Sequence, residues 1–262
     1  MTEAELRPQT TSLVVKLGVD LVAAGAASLM ASPFVTILDR AIIENASGKR
    51  HLGFAIQTLL GKFVRNPVAF FQRREFALVY GLYAATYASA NTIETLCDAA
   101  ETPSAMPKFV TTTAVNVSLC VYKDREFARM FGVVKPHSFP LVSLGLFAMR
   151  DSMTVGATFL TPPEIAQFIE STGCSKGTSG MLAQVLFPSL IQFASTPLHL
   201  LSLDLYNHPS AAATARTTFI KSKYWETVAA RVSRIVPAFG LGSIGNKYMR
   251  DEMRATLHSH GV

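Results

Sequence analysis

Gly177–Leu203, GTSGMLAQVLFPSLIQFASTPLHLLSL, carries no formally charged residue and lies between Lys176 and Asp204. About 20 apolar residues suffice for a helix to cross the hydrocarbon core of a bilayer, so this run is long enough to span with some tilt. Pro188 and Pro197 each remove a backbone donor. An isolated soluble helix tolerates that poorly, whereas neighbouring helices in a membrane bundle accommodate the resulting kinks. A buried helix in a large soluble core is the competing reading.

The composition points the same way. Charged residues make up 16% of the 262-residue chain and hydrophobic residues 49%. Ordinary soluble domains carry about 25% charged residues. That leaves a membrane-embedded or very core-rich protein, and no Gly/Ser-rich or Pro-rich linker divides the chain, so residues 1–262 are expected to form a single domain. Cys97, Cys120 and Cys174 are far apart with no CxxC pair, suggesting neither a zinc site nor a disulfide framework. The first twelve residues, MTEAELRPQTTS, have acidic residues and no apolar core, and read as neither a secretory signal nor an Arg-rich transit peptide.

Outward from Gly177–Leu203, two other runs are good candidate spans. Residues 13–38 hold Gly18, Gly25, Ala26, Ala27 and Ser28 on closely spaced turns, predicting a face where helices approach closely. Residues 76–93 are 18 consecutive uncharged positions rich in tyrosine and small side chains. Between them, 39–75 reads as a polar segment with an amphipathic interfacial helix, since Phe54, Ile56, Leu59, Leu60 and Phe63 recur at helical spacing among basic residues. Three weaker spans follow: 109–122 is short and rich in threonine, 138–161 contains Arg150 and Asp151, and 235–246 is short and bounded by Arg234 and Lys247.

An internal repeat supports the weak spans. Ala31-Ser32-Pro33-Phe34 and Ser195-Thr196-Pro197-Leu198 are similar steps 164 positions apart, and half that interval from Pro33 falls beside Asn116. Three units follow, at approximately 11–98, 107–170 and 177–254, each with two helices and a polar connection. Pro33 and Pro197 would kink the first helix of their units. The charges sort accordingly. Segments 39–75, 123–136 and 207–234 contain 7, 4 and 5 Lys or Arg, while 97–108 and 162–176 contain one each, as expected when one side of a six-span protein faces negative potential.

In this arrangement the chain resembles the mitochondrial carrier family over roughly residues 11–254. The matching strings are Pro33-Phe-Val-Thr-Ile-Leu-Asp-Arg40, Asn116-Val-Ser-Leu-Cys-Val-Tyr-Lys123 and Pro197-Leu-His-Leu-Leu-Ser-Leu-Asp204, with Arg231-Val-Ser-Arg234-Ile-Val-Pro237 similar to the entry into that family's last helix. The resemblance implies an all-α membrane protein of six transmembrane helices in three tandem repeats about a pseudo-threefold axis, in the inner mitochondrial membrane. It also implies interhelical ion pairs that alternate between two states. The acidic positions of that pattern are Val35, Ser118 and His199, and the first basic positions Leu38, Val121 and Ser202, so those pairs are expected to be missing. The connection 124–136 is too short for the usual helix between the two spans of the middle unit.

Charges at membrane depth are costly and face a cavity or a partner. Arg150, Asp151, Asn91, Asn116 and His199, each on a different candidate span except for the adjacent pair, are therefore the candidate solute-contacting residues. Arg150 would supply a cation in the cavity. As sequence neighbours on a helix, Arg150 and Asp151 are expected to pair imperfectly. No GxGxxG, Walker, HExxH or GxSxG pattern occurs, so no enzyme activity, cofactor or metal is expected. A net charge of +6 invites a nucleic-acid reading, but basic residues spread over one membrane side fit anionic lipid head groups such as cardiolipin better. Two functions follow: transport of a small anionic metabolite, or a non-transporting subunit docked in a respiratory or ATP synthase complex.

Overall fold

Helix α1, Leu13–Ala46, runs unbroken for 34 residues. At 1.5 Å per residue it is roughly 50 Å long, well beyond a bilayer's hydrocarbon core. In the computed structural model residues 12–133, 138–159, 161 and 163–259 are described, so the reading of the first eleven residues lies outside them. After α1 come α2 (Leu52–Arg65), α3 (Pro67–Phe71), α4 (Arg74–Ala99), α5 (Ala105–Phe131), α6 (Leu141–Phe159), α7 (Pro163–Ser171) and α8 (Lys176–Asn207). The chain ends in α9 (Ala213–Ile235), a π-helical stretch Val236–Ile244 and α10 (Gly245–Ser259), which follow one another without a break. No strand occurs among the described residues.

The long helices pack in order around a ring. Helix α1 lies on α4, α4 on α5, α5 on α6, α6 on α8 and α8 on α9, and the α9–π–α10 rod closes the ring against α1. The weak spans are thus longer than their apolar cores. Residues 109–122 sit inside the 27-residue α5, and 235–246 falls across the π-helical stretch. Helix α1 also runs past the expected end of its span. Residues 39–46, read from sequence as part of a polar surface segment, are helical, with Asp39, Glu44 and Asn45 buried, because Asp39 meets Arg234 of α9, Glu44 meets Arg40 and Arg50, and Asn45 donates to Glu226 of α9.

Helices α1 and α8 are inside out relative to a soluble core. Buried positions on α8 include Gln192, Ser195, Thr196, His199 and Asp204, while Met181, Leu182, Leu186, Leu190 and Phe193 are exposed. Helix α1 likewise exposes Leu21, Val22, Leu29 and Phe34 while burying Asp20, Ser28 and Ser32. Apolar residues turned outward around a polar interior suit lipid surroundings better than the soluble-core reading of 177–203. These are the two helices long and apolar enough to cross a membrane among the described residues, and the protein is an all-helical membrane protein. The α1 packing face is Ala23, Ala24, Ala27 and Ala31 rather than the glycines, since Gly18 is exposed and Gly25 half-buried.

The prolines are absorbed as a bundle permits. Pro197 lies inside α8 and frees the carbonyl of Phe193, which accepts a hydrogen bond from Tyr224 of α9 at 2.9 Å. Pro33 lies inside the unbroken α1. In the closing rod, Tyr87 of α4 donates to the Ala238 carbonyl at 2.6 Å and its ring rests against Gly242, where a Cβ would collide with it.

The three basic connections meet at one end of the ring. Asn45 near the end of α1 bonds Glu226 and Lys223 of α9, Ser47 donates to the Phe131 carbonyl at the end of α5, and Arg74 pairs with Glu126. Beside them, α2 buries Ala55 and Leu59 against Ile37 and Ala41, and Phe63, Phe70, Phe71 and Phe76 pack edge to face. Helices α5 and α6 are joined with no helix among the described residues between them.

Candidate functional site

Asp39, one turn beyond Val35 on the same face of α1, is the centre of an ionic cluster at this end. It pairs with Lys123 of α5 and with Arg234 of α9, the latter at 2.9 Å. Lys123 also meets Asp124 at 2.9 Å, and Asp124 pairs with Arg150 of α6. Arg150 holds Asp151 at 2.6 Å through two oxygens, lies 2.6 Å from Nδ1 of His199 on α8, and packs over the Phe147 ring. Side chains from α1, α5, α6, α8 and α9 therefore close one end of the ring. Val35, Ser118 and His199 supply no acid to this end, but interhelical charge pairs form at other positions, between Asp39 and Lys123, Asp39 and Arg234, and Asp124 and Arg150.

Arg150 and Asp151 do pair directly. The expectation of poor geometry assumed side chains leaving a helix 100° apart; the long guanidinium stem turns back far enough to chelate its neighbour. The arrangement costs little beyond that, because the same guanidinium reaches Asp124 and His199 and so leaves few of its donors idle.

Above this cluster lies an interior cavity of about 340 Å³. Its charged lining residues are Lys108, Asp151 and Arg234. Neutral hydrogen-bonding groups come from Thr112, Asn116, Thr154 and Gln184, and aromatic walls from Tyr83 and Tyr87. The cavity thus offers both signs of charge with amide and hydroxyl groups between them. Asn116 also contacts Thr86 at 3.2 Å. Of the sequence candidates, Asn116 and Asp151 line this cavity; Arg150 and His199 instead line a small pocket of about 10 Å³ within the ionic cluster.

Asn91 belongs to a second polar network at the opposite end. Its side chain exchanges two 2.9 Å hydrogen bonds with Asn246 and donates to the Asp20 carbonyl. Asp20 accepts from Thr95 and pairs with Arg250 at 2.8 Å and Arg254 at 2.7 Å. Glu94 joins Arg250 to Lys108 at the cavity wall. The five candidates therefore divide among two end networks and the chamber between them.

Sequence reasoning passed over Asp20, Asp39, Lys123, Asp124, Arg231 and Arg234 as site residues. A helical-period test would have found Asp39, since it lies one turn from the position where an acid was sought. Arg250 and Arg254 have the i, i+4 spacing that places both on one carboxylate.

Among proteins of known kind, residues 23–254 match the family described as probable citrulline exporter. No curated protein and no solved structure matches the chain. The match covers almost all of the ring, including the Asp39 cluster and the chamber and all of the second network except Asp20, and the chain belongs to the family of probable citrulline exporters.

Proposed function

We propose that this protein carries a small zwitterionic amino acid with the chemistry of citrulline across the inner mitochondrial membrane. The carrying observation is the polar chamber of about 340 Å³, whose lining includes Asp151 and Arg234 together with amide and hydroxyl groups. An α-ammonium suits a carboxylate, an α-carboxylate suits a cation, and a neutral ureido group suits Asn, Gln and Thr. The description of the family supports the same solute class. A zwitterion replaces the simple anion as the expected cargo because the chamber contains a carboxylate as well as cations.

The ring order, the Pro33 and Pro197 steps and the sorted basic connections support a six-span fold of three two-helix units related by a pseudo-threefold axis, divergent from the mitochondrial carriers. In this reading the Asp39 cluster is the closed gate on the side of negative potential, where the basic connections meet anionic lipid such as cardiolipin. Transport requires that cluster to open in the alternate state. Interhelical charge pairs between Asp39 and Lys123 and between Asp124 and Arg150 support this reading over that of a docked, non-transporting subunit.

Proteoliposomes loaded with unlabelled L-citrulline and presented with labelled L-citrulline test the activity. Counterflow that ornithine and arginine compete with only weakly is the expected result; preferential uptake of a dicarboxylate or phosphate would overturn the solute assignment. Cysteines introduced at the exposed positions Lys49 and Ala212 should react with an impermeant maleimide from the same side.

A further inference from the structure

Among the described residues, four Lys and Arg side chains are buried in the bundle: Lys123, Arg150, Arg231 and Arg250. Three have carboxylate partners, Lys123 with Asp39 and Asp124, Arg150 with Asp124 and Asp151, and Arg250 with Asp20 and Glu94. Arg231, only 2% exposed, pairs with no carboxylate among the described residues. Its Nη2 donates to Oε1 of Gln192 at 2.6 Å and to Oγ of Ser195 at 2.9 Å, and its Nε–H has no acceptor among them. Neutral acceptors satisfy hydrogen bonds but do not neutralise a guanidinium, and an uncompensated buried cation is strongly disfavoured.

The second orphan donor is beside it. Nδ1 of His199 faces an Arg150 guanidinium N–H at 2.6 Å, so Nδ1 accepts and Nε2 carries the hydrogen. That Nε2 is buried and without a partner. His199 and Arg231 both line the pocket of about 10 Å³, which has room for one water-sized group. The charged residues lining this pocket are the cations Arg150, Arg231 and Arg234 and the carboxylates Asp39 and Asp124, so one positive charge is left over.

We propose that Arg231, with Nε2 of His199 beside it, is the receptor for the carboxylate of the transported solute, filled when the Asp39 cluster opens. The proposal rests on the transport reading and assigns the solute's carboxylate to one named cation. A carboxylate there accepts from two donors that are otherwise idle and cancels the excess charge. It also couples recognition to gating, because a pocket this small admits the group only after Asp39, Asp124 and their cations have moved apart. Thr154, at the chamber wall, contacts Gln192 at 3.3 Å and so links the chamber to the Arg231 site.

Titrations on detergent-purified protein test this without transport. Wild type is expected to bind L-citrulline at least about tenfold more tightly than its decarboxylated analogue N-carbamoylputrescine, as befits loss of a charge-assisted pair. Arg231→Gln should remove that preference by weakening citrulline while leaving the analogue unchanged, and should melt no lower than wild type without ligand, because it deletes an uncompensated charge. Gln192→Glu should raise the melting temperature and occlude the site with an internal carboxylate, reducing citrulline affinity to the Arg231→Gln level. An unchanged preference in Arg231→Gln, or unchanged citrulline affinity in Gln192→Glu, overturns the proposal. If wild type binds neither compound, the citrulline reading fails by itself, and sodium butyrate decides the role of Arg231. Butyrate should then stabilise wild type and not Arg231→Gln, and an equal response, or none in either, overturns it.

Discussion

The two ends of the helix ring are closed by different means. At the Asp39 end, side chains from α1, α5, α6, α8 and α9 meet in one buried cluster, and Arg40 extends it to α4 through Glu75 at 2.7 Å. At the Asp20 end, the contacts of Asp20, Asn91, Glu94, Thr95 and Arg250 draw on α1, α4, α5 and α10, with no side chain from α6 or α8 among the described residues. The first end is thus tied across the ring, and the second is laced over part of it. The exposures differ as well. Asp39 and Lys123 are buried, as are Asp20 and Asn91, but the second network reaches the chamber wall through Glu94 and Lys108, whose side chains are each 32% exposed. A chamber sealed at one end and loosely tied at the other is the form expected of a transporter caught in one of two states, and the ends therefore differ in how much stability each stores.

The largest expected effect is at the sealed end. Asp39→Asn strips a carboxylate from both Lys123 and Arg234, and breaking a buried ion pair on one side typically costs about 3–5 kcal/mol. The melting temperature in detergent should fall more than for any single substitution at the Asp20 end. A smaller fall would mean that the cluster is hydrated and that the contrast between the ends is lost. Exchanging Asp39 and Lys123 should not restore stability, since the introduced lysine would face Arg234 and the introduced aspartate would face Asp124.

Asp20→Asn comes next. Asp20 is fully buried and holds Thr95, Arg250 and Arg254, but Arg250 keeps Glu94 and the Arg254 side chain is 21% exposed. Hydrogen bonds to charged groups contribute about 1.5–3 kcal/mol, so a loss of that order is expected. Thermal unfolding of Asp20→Asn and Asp39→Asn side by side tests the ranking, and an inverted order would make the Asp20 end the true seal.

What was legible beforehand follows from what each signal depends on. Helix positions, the sorting of basic connections to one end and the polar residues of α5 and α6 depend on local composition, and Gly177–Leu203 alone conveyed the membrane character. The end networks depend on which residues face inward at a given height, which one sequence reveals only through register. Asp39 was missed because an acid was sought at Val35, although one helical turn separates them on the same face. Arg231 and Arg234 read as features of a helix entry; their difference, one with a carboxylate partner and one without, exists only after α1, α8 and α9 are packed together. Asn91 and His199 were singled out as polar groups at membrane depth, but nothing in the sequence indicated that they belong to opposite ends.

The smallest expected effect on stability is at the rim of the loose end, where Lys108 bridges to Glu94 at 2.9 Å and also lines the chamber. Both side chains are partly exposed, and pairs of that kind contribute about 0.2–1 kcal/mol, so Lys108→Gln should barely move the melting temperature. Its effect on transport is expected to be separable from its effect on the fold. A cation near the open end of a chamber raises the local concentration of a solute carboxylate by a screened, long-range attraction, so removing it should slow uptake at low ionic strength and matter less as salt is added. Initial rates of citrulline counterflow at several salt concentrations measure this directly. A salt-independent deficit would instead assign Lys108 a direct contact with the bound solute, and it would show that the loose end, like the sealed one, takes part in recognition.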